Sequence, residues 1–162
     1  KKIIQENLFV ISLNTFNSIK EKYINLRVIC HPFRITSDSL KLNKFNCKFV
    51  IPITSFSKSL KSSIYLNIKN IYDYGLLIKN LDSVTVRDKY CVLPSPLAIG
   101  YALSLAISGN VKSVRLAGFD GYEKSDPDSD NTEELLKIFV KNYFKNKLVS
   151  LTKTKFKFLY YK

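Results

Sequence analysis

The sequence has no methionine or tryptophan, and its 162 residues include one histidine, five glycines and five prolines. A single histidine excludes a metal centre built on several histidines. The three cysteines, Cys30, Cys47 and Cys91, are an odd number without CxxC spacing, which argues against a disulfide framework or a zinc site. We expect each to be a small buried side chain in a reducing compartment, the cytoplasm.

No apolar run approaches the roughly 20 residues that cross a bilayer, so no membrane span is expected. The absence of methionine at position 1 predicts that the chain belongs to a longer protein. Hydrophobic residues make up 46% of the chain and charged residues 24%, which excludes a disordered chain. The length suits a single domain covering residues 1–162.

Arginine is scarce, because 22 of the 26 basic residues are lysine. Arginine supplies the bidentate contacts that recognise phosphates and guanines. Residues 120–134 carry seven acidic groups and one basic group, whereas residues 135–162 carry eight lysines and no acid. Despite the formal net charge of +13, we therefore predict no specific binding of nucleic acid. The lysines are expected to be solvated, with a weak attraction for small anions.

Runs of apolar and β-branched residues predict strands at residues 8–13, 26–30, 47–51, 68–72, 83–87, 90–93, 113–117 and 153–161. Helical spacing predicts a helix over about 96–108, with Ser95 as N-cap and Pro96 as its first residue. A second helix is expected from about Asn131, with Asp130 and Glu133 as a capping box. Short helices are expected at 15–22 and 36–44, and a surface loop or weak helix at 54–63. This alternation predicts an α/β, Rossmann-like domain with a mostly parallel sheet and helices on both faces.

In such sheets, ligands bind beyond the carboxyl ends of the strands. No GxGxxG motif or P-loop is present. The predicted ligand-binding residues each follow a strand or open the helix after one: Asn14, His31, Arg34, Ser95, Gly118, Asp120 and Tyr122. Arg34 and the helix start suit a phosphate or carboxylate, and Asp120 suits sugar hydroxyls.

Each of these residues also has a purely structural interpretation. His31 can bond a backbone carbonyl, Asp120 can hold a turn, and Ser95 can simply cap a helix. The catalytic residues are unknown: His31 is the only histidine candidate, and no GxSxG motif surrounds Ser95.

Two segments, residues 90–103 (YCVLPSPLAIGYAL) and 114–122 (VRLAGFDGY), resemble a known family. It is the domain appended C-terminally to bacterial aldolases of the HMG-CoA-lyase or 4-hydroxy-2-oxovalerate aldolase type. Residues 29–34, 73–75, 126–127 and 151–156 are also similar to it, so the resemblance spans nearly the whole chain. It implies that an aldolase barrel, which can hold a divalent metal, lies upstream, and that this domain itself has neither metal nor cofactor.

More distantly, the chain resembles bacterial CMP-sialic-acid-dependent sialyltransferases and pterin-kinase-like domains. In those proteins an early Asn, a Ser at the start of the long helix and a Gly-x-Asp-x-Tyr turn border the nucleotide. The matching residues are Asn14, Ser95, Gly118, Asp120 and Tyr122. The late catalytic histidine of the sialyltransferases has no counterpart, so the resemblance implies binding of a nucleotide or nucleotide-sugar without sialyl transfer.

Together these features favour an accessory, ligand-binding domain of an aldolase-type enzyme, acting in surface-sugar or keto-acid metabolism. The expected partner is a small anionic or nucleotide-like ligand, and whether this domain catalyses a reaction stays open. Two alternatives remain: a stand-alone transferase that uses a nucleotide-activated substrate, and a structural module that forms homo-oligomers.

Overall fold

The computed structural model describes residues 5–15, 19–80, 82–123, 126 and 128–161. Its strands are β1 (Ile11–Leu13), β2 (Leu26–Val28), β3 (Lys48–Ile51), β4 (Ile71–Asp73), β5 (Gly75–Ile78), β6 (Thr85–Val86), β7 (Tyr90–Leu93), β8 (Val114–Leu116), β9 (Leu148–Ser150) and β10 (Tyr160–Tyr161). Its α-helices are α1 (Pro32–Ser37), α2 (Ser39–Leu42), α3 (Lys58–Asn67), α4 (Ala98–Ser108) and α5 (Asp128–Phe139). Short 3₁₀ turns cover Glu21–Tyr23, Ile53–Ser55 and Lys145–Lys147, and a π-helical turn, Val140–Phe144, extends α5.

The strands form three hydrogen-bonded groups in the described part of the chain. β1 to β4 lie side by side in chain order, and every pair of neighbours is parallel. β7 lies between β5 and β6, parallel to β5 and antiparallel to β6. β9 lies between β8 and β10 and is parallel to both. The protein is therefore an α/β protein in which most of the described strand pairs are parallel.

Side chains alternate along the strands between two hydrophobic clusters, which therefore lie on opposite faces of the β1–β4 sheet. In β3, Val50 belongs to one cluster, while Phe49 and Ile51 belong to the other. The larger cluster packs against α4 and α5, and the smaller one packs against α1, α2 and α3. Helices thus cover both faces of this sheet, as expected for parallel strands.

Helix α4 is almost wholly buried, and its apolar residues pack into the larger cluster. Its end at Ser108 with Gly109 as C-cap confirms the predicted end. Its predicted start is wrong, because the helix begins at Ala98 and the N-cap is Leu97, without a side-chain hydrogen bond. The carbonyl of Pro96 instead accepts a hydrogen bond from the Cys30 thiol at 3.3 Å. In the described part of the chain, no helix combines the length and apolar character needed to cross a membrane.

Helix α1 begins four residues earlier than the sequence predicts. Its N-cap is His31, whose Nδ1 accepts the Phe33 N–H at 3.2 Å, and Pro32 fills the first helical position. The predicted start of a helix at residue 36 is therefore wrong. A second short helix, α2, follows after Asp38.

Other boundaries also differ from the predictions. The chain continues past β4 into a separate strand, β5, and the predicted tail strand is reduced to β10. Within residues 54–63, helix α3 begins at Lys58, because Ser57 Oγ accepts the Leu60 N–H as its N-cap. The predicted capping box of α5 is wrong, since Asp130 already lies inside the helix. The Asp126 carboxylate accepts the Asp128 N–H at 2.9 Å instead. The predicted helix at 15–22 partly lies outside the described residues, and 3₁₀ geometry begins at Glu21.

Candidate functional site

A cavity of about 730 Å³ opens where β1, β2, β7 and β8 end. Parallel strands bring their carboxyl ends to one edge of a sheet, so the segments that follow them meet there. The cavity is lined by Leu13, Asn14, Cys30, His31, Phe33, Arg34, residues 96–99, Gly118, Phe119, Asp120, Gly121, Tyr122, Asp128 and Phe156. The volume lies in the range typical of small-molecule sites.

The β2–α1 connection supplies the basic part of the lining. His31 and Arg34 are both exposed and line the cavity. The His31 ring is held by the hydrogen bond from the Phe33 N–H to its Nδ1. Because Nδ1 accepts, the neutral ring carries its proton on Nε2, which leaves an N–H donor. Phe33 adds an aromatic side chain that is 66% exposed.

The start of α4 forms a second part of the lining. Its first-turn amides, from Ala98 to Gly100, precede the first intrahelical bond, in which Tyr101 N–H donates to Leu97 O at 3.1 Å. Such amides attract anions, and no side chain among the described residues caps them. The Cys30 thiol fixes this entry by donating to the Pro96 carbonyl. Burial raises the pKa of Cys30 to about 12, so this thiol stays neutral and unreactive at ordinary pH.

The segment Gly118 to Tyr122, called the glycine loop below, follows β8 and requires its glycines. Gly118 and Gly121 have φ angles of 75° and 97°, in the left-handed region that side chains strain. A Cβ at Gly121 would also lie 2.8 Å from the Cβ of Lys155. The loop places Phe119, Asp120 and Tyr122 on the cavity.

The segment after β9 holds the glycine loop from behind. Thr152 Oγ1 accepts the Gly118 N–H at 3.1 Å, and Lys155 N–H donates to the Asp120 carbonyl at 2.8 Å. The Lys155 ammonium also bonds the Tyr122 carbonyl and the Glu123 carboxylate, at 3.3 and 2.8 Å. The hydrogen bond and positive charge of Lys155 hold the pKa of Glu123 below its usual value. Because the Asp120 carbonyl already accepts from Lys155, the carboxylate of Asp120 is the group that it offers to a ligand.

Charge is therefore divided within the cavity. Arg34 and His31 come from the β2–α1 connection, whereas the carboxylates of Asp120 and Asp128 come from the glycine loop and the start of α5. Carboxylates accept hydrogen bonds from hydroxyl groups, and a guanidinium binds phosphate or carboxylate in a fork. No group of three or more His, Cys, Asp or Glu side chains able to hold a metal ion occurs among the described residues.

Six of the seven predicted ligand-binding residues line the cavity: Asn14, His31, Arg34, Gly118, Asp120 and Tyr122. Ser95 does not. Its hydroxyl is buried without a hydrogen-bond partner in the described part of the chain, and the lining begins at the next residue, Pro96. Sequence reasoning missed Phe33, Asp128 and Phe156 as lining residues. The position of Phe33 between His31 and Arg34 was a usable signal, whereas nothing local marks Phe156.

Comparison of the chain with protein-family models, with curated proteins and with solved structures found no match. The interpretation of the cavity therefore depends on its own residues and on the motif resemblance described above.

Proposed function

We propose that this chain is a Rossmann-like domain that binds a nucleotide or nucleotide-sugar in the cavity at the strand ends. The ligand presents an anionic group to Arg34, His31 and the first turn of α4. Its sugar hydroxyls bond the carboxylate of Asp120, and Tyr122 or Phe33 stacks on its flat part. These roles match the side-chain chemistry of each part of the lining.

One observation supports this proposal most: a single cavity combines basic, carboxylate and aromatic groups from separate chain segments. A purely structural module has no need to gather such groups at one sheet edge. Phe33 adds an exposed aromatic ring beside Arg34, which is available to stack on a ligand.

Binding rather than acid–base chemistry suits His31. Its Nδ1 already accepts the Phe33 N–H, and the proton on Nε2 makes the neutral ring a donor toward an anion. A general base must instead present a free acceptor to the substrate proton. We therefore place His31 among the ligand-binding groups.

The wider role follows from the resemblance to the domains attached to aldolase-type enzymes. In this proposal the domain is an accessory binding unit of such an enzyme, which functions in surface-sugar or keto-acid metabolism. Activity of an associated barrel on a keto acid, dependent on this domain, would support that role.

Isothermal titration calorimetry with CMP, CTP and a CMP-activated sugar tests the binding. Arg34→Gln and Asp120→Asn should each weaken binding about ten- to a hundredfold, because hydrogen bonds to charged groups contribute ~1.5–3 kcal/mol. The matched controls are Arg87→Gln and Asp88→Asn, which change the same residue types in the exposed turn between β6 and β7.

The controls should bind as the unchanged protein does. Absence of any binding by the three probes at millimolar concentration would reject the proposed ligand class. Equal loss of affinity in the site variants and in the controls would show that net charge, rather than this cavity, attracts the nucleotide.

A further inference from the structure

Arg27 is the largest fully buried side chain among the described residues, with 1% of its surface exposed. It lies in the middle of β2, and its neighbours in the sheet are β1 and β3. A charged residue is almost never buried so completely unless it is paired. The burial of Arg27 therefore needs contacts that compensate its charge, which an apolar side chain at this position would not need.

The guanidinium makes contacts on three sides. Its Nη2 forms an ion pair with the Glu21 carboxylate, and its Cζ lies 3.8 Å from the ring centroid of Phe45. Its Nη1 donates to Ser12 Oγ at 3.3 Å and to the carbonyl oxygen of Asn14 at 3.0 Å. The half-buried Cys47 adjoins this pair: burial, followed by the neighbouring Glu21 carboxylate, raises its pKa to about 11.

Asn14 is the residue at which β1 ends and the cavity begins. Its φ angle is 55°, in the left-handed region that non-glycine residues seldom occupy. Both of its backbone groups are bonded, because its N–H donates to Val28 O at 3.0 Å and its carbonyl accepts from Arg27. The next residue, Thr15, is anchored as well, through a 2.6 Å hydrogen bond to the Asp38 carboxylate.

We infer that Arg27, oriented by Glu21, is the positioning residue of the candidate site. It holds Asn14 in the left-handed conformation that presents this residue to the cavity. The inference rests on the proposed function for the ligand that Asn14 contacts. The left-handed conformation of Asn14 does not depend on that function.

The geometry explains why arginine stands at this position. One planar group reaches Glu21, Ser12 and Asn14 at once, which a lysine ammonium on a flexible stem does not do. The pairing is nevertheless incomplete, since Arg27 Nε and Glu21 Oε1 are buried without partners in the described part of the chain. A core that needed only stability would be served as well by apolar side chains. The contact with Asn14 gives this buried charge a role in the site.

Arg27→Lys is the test variant, and Glu21→Gln is a milder second variant that keeps the shape of the carboxylate. Arg115→Lys is the matched control, because Arg115 also forms an arginine–glutamate ion pair on a parallel strand, with Glu6, but its side chain is well exposed. Amide hydrogen exchange measured by NMR should show Asn14 exchanging at least tenfold faster in Arg27→Lys. The Leu103 amide in α4 reports global stability in the same sample.

CMP titration provides the second measurement. Arg27→Lys should weaken CMP binding at least tenfold, Glu21→Gln should weaken it less, and Arg115→Lys should leave it unchanged. If Arg27→Lys does not fold, Glu21→Gln decides the question by the same two measurements.

Asn14 exchange that rises no more than Leu103 exchange would overturn the inference. So would unchanged CMP affinity in a folded Arg27→Lys protein. Faster Asn14 exchange in a protein whose unmodified form binds no CMP would uphold the positioning role and reject the proposed ligand.

Discussion

The two faces of the β1–β4 sheet are built differently. On one face, α4 and α5 pack into a cluster of 21 buried hydrophobic residues, and α4 itself carries no charged side chain. On the other face, the short α1 and α2 and the serine- and lysine-rich α3 cover a cluster of eight. Both counts concern the described residues.

This difference shows which elements position the candidate site. The face with the larger cluster provides the start of α4 and the carboxylate of Asp128, on helices anchored by many apolar contacts. The other face provides His31 and Arg34 on a helix of six residues that buries only Ile35. Packing anchors the first pair of elements, whereas the hydrogen bond from Thr15 to Asp38, the C-cap of α1, anchors the second. Three changes test this contrast.

The largest effect is expected from removing a buried aromatic ring on each face. Phe139 belongs to the larger cluster and Phe49 to the smaller, and both have 0% of their surface exposed. Phe139→Ala should lower the free energy of unfolding by ~5 kcal/mol and Phe49→Ala by ~3 kcal/mol. The short helices beside Phe49 can move in to fill part of the space, whereas the larger cluster cannot.

Urea unfolding followed by circular dichroism measures both values. Phe9→Ala is the control, since that ring is 68% exposed and its loss should cost little. An equal or reversed order of the two core variants would contradict the proposed difference between the faces.

A smaller effect is expected from adding the same side chain to one helix on each face. At Gly100 in α4, a Cβ alone would lie 2.6 Å from Leu135 Cδ2 and 3.3 Å from Leu93 Cδ1. Gly100→Val should therefore overpack the larger cluster and destabilise the protein by ~1–3 kcal/mol. Ser62→Val, on the exposed surface of α3, should change stability by less than ~0.5 kcal/mol. Thermal denaturation of both variants decides this, and tolerance of Gly100→Val would mean that α4 packs loosely.

The smallest effect concerns the cysteines, whose reactivity reports opening of each face. Cys30 and Cys91 belong to the larger cluster, and burial raises their pKa values to about 12 and about 11. Cys47 packs against the smaller cluster and is only half-buried. Iodoacetamide should label Cys47 first, with a rate that rises about tenfold per pH unit between pH 8 and 10.

The same pKa shifts predict how stability depends on pH. Folded pKa values above the ordinary 9.0 mean that the neutral thiols stabilise the folded state fully below pH 9. This contribution is lost as the pH rises from 9 toward 11 to 12.

Mass spectrometry of the iodoacetamide-labelled peptides measures the order in which the cysteines react. Faster labelling of Cys91 than of Cys47 would contradict the contrast between the faces.

Much of the candidate site was predictable because it depends on where strands end. Runs of apolar residues marked β2 and β8, so the residues after them, His31 and Asp120, were placed at one sheet edge. Ser95 illustrates the limit of local patterns. A serine before a proline suits a helix cap, but here Pro96 bonds the Cys30 thiol, which lies 66 residues earlier, and the helix starts later.

The role of Arg27 was not predictable for a related reason. An arginine in an apolar strand gives no local sign of whether its charge is exposed or paired. Its partner Asn14 becomes a neighbour only when β1 and β2 pair, whereas Glu21 lies six residues before Arg27 in the chain. Lys155 likewise reaches the glycine loop only through the pairing of β8 with β9.

The sequence by itself determined the alternation of strands and helices and the end of α4 at a glycine. These follow from side-chain period and from backbone sterics, which act between near neighbours in the chain. Only the tertiary structure decided that Arg27 is buried beneath Asn14, that Phe156 lines the cavity and that Ser95 does not. Burial and charge pairing depend on which distant segments meet, and no local pattern encodes that meeting.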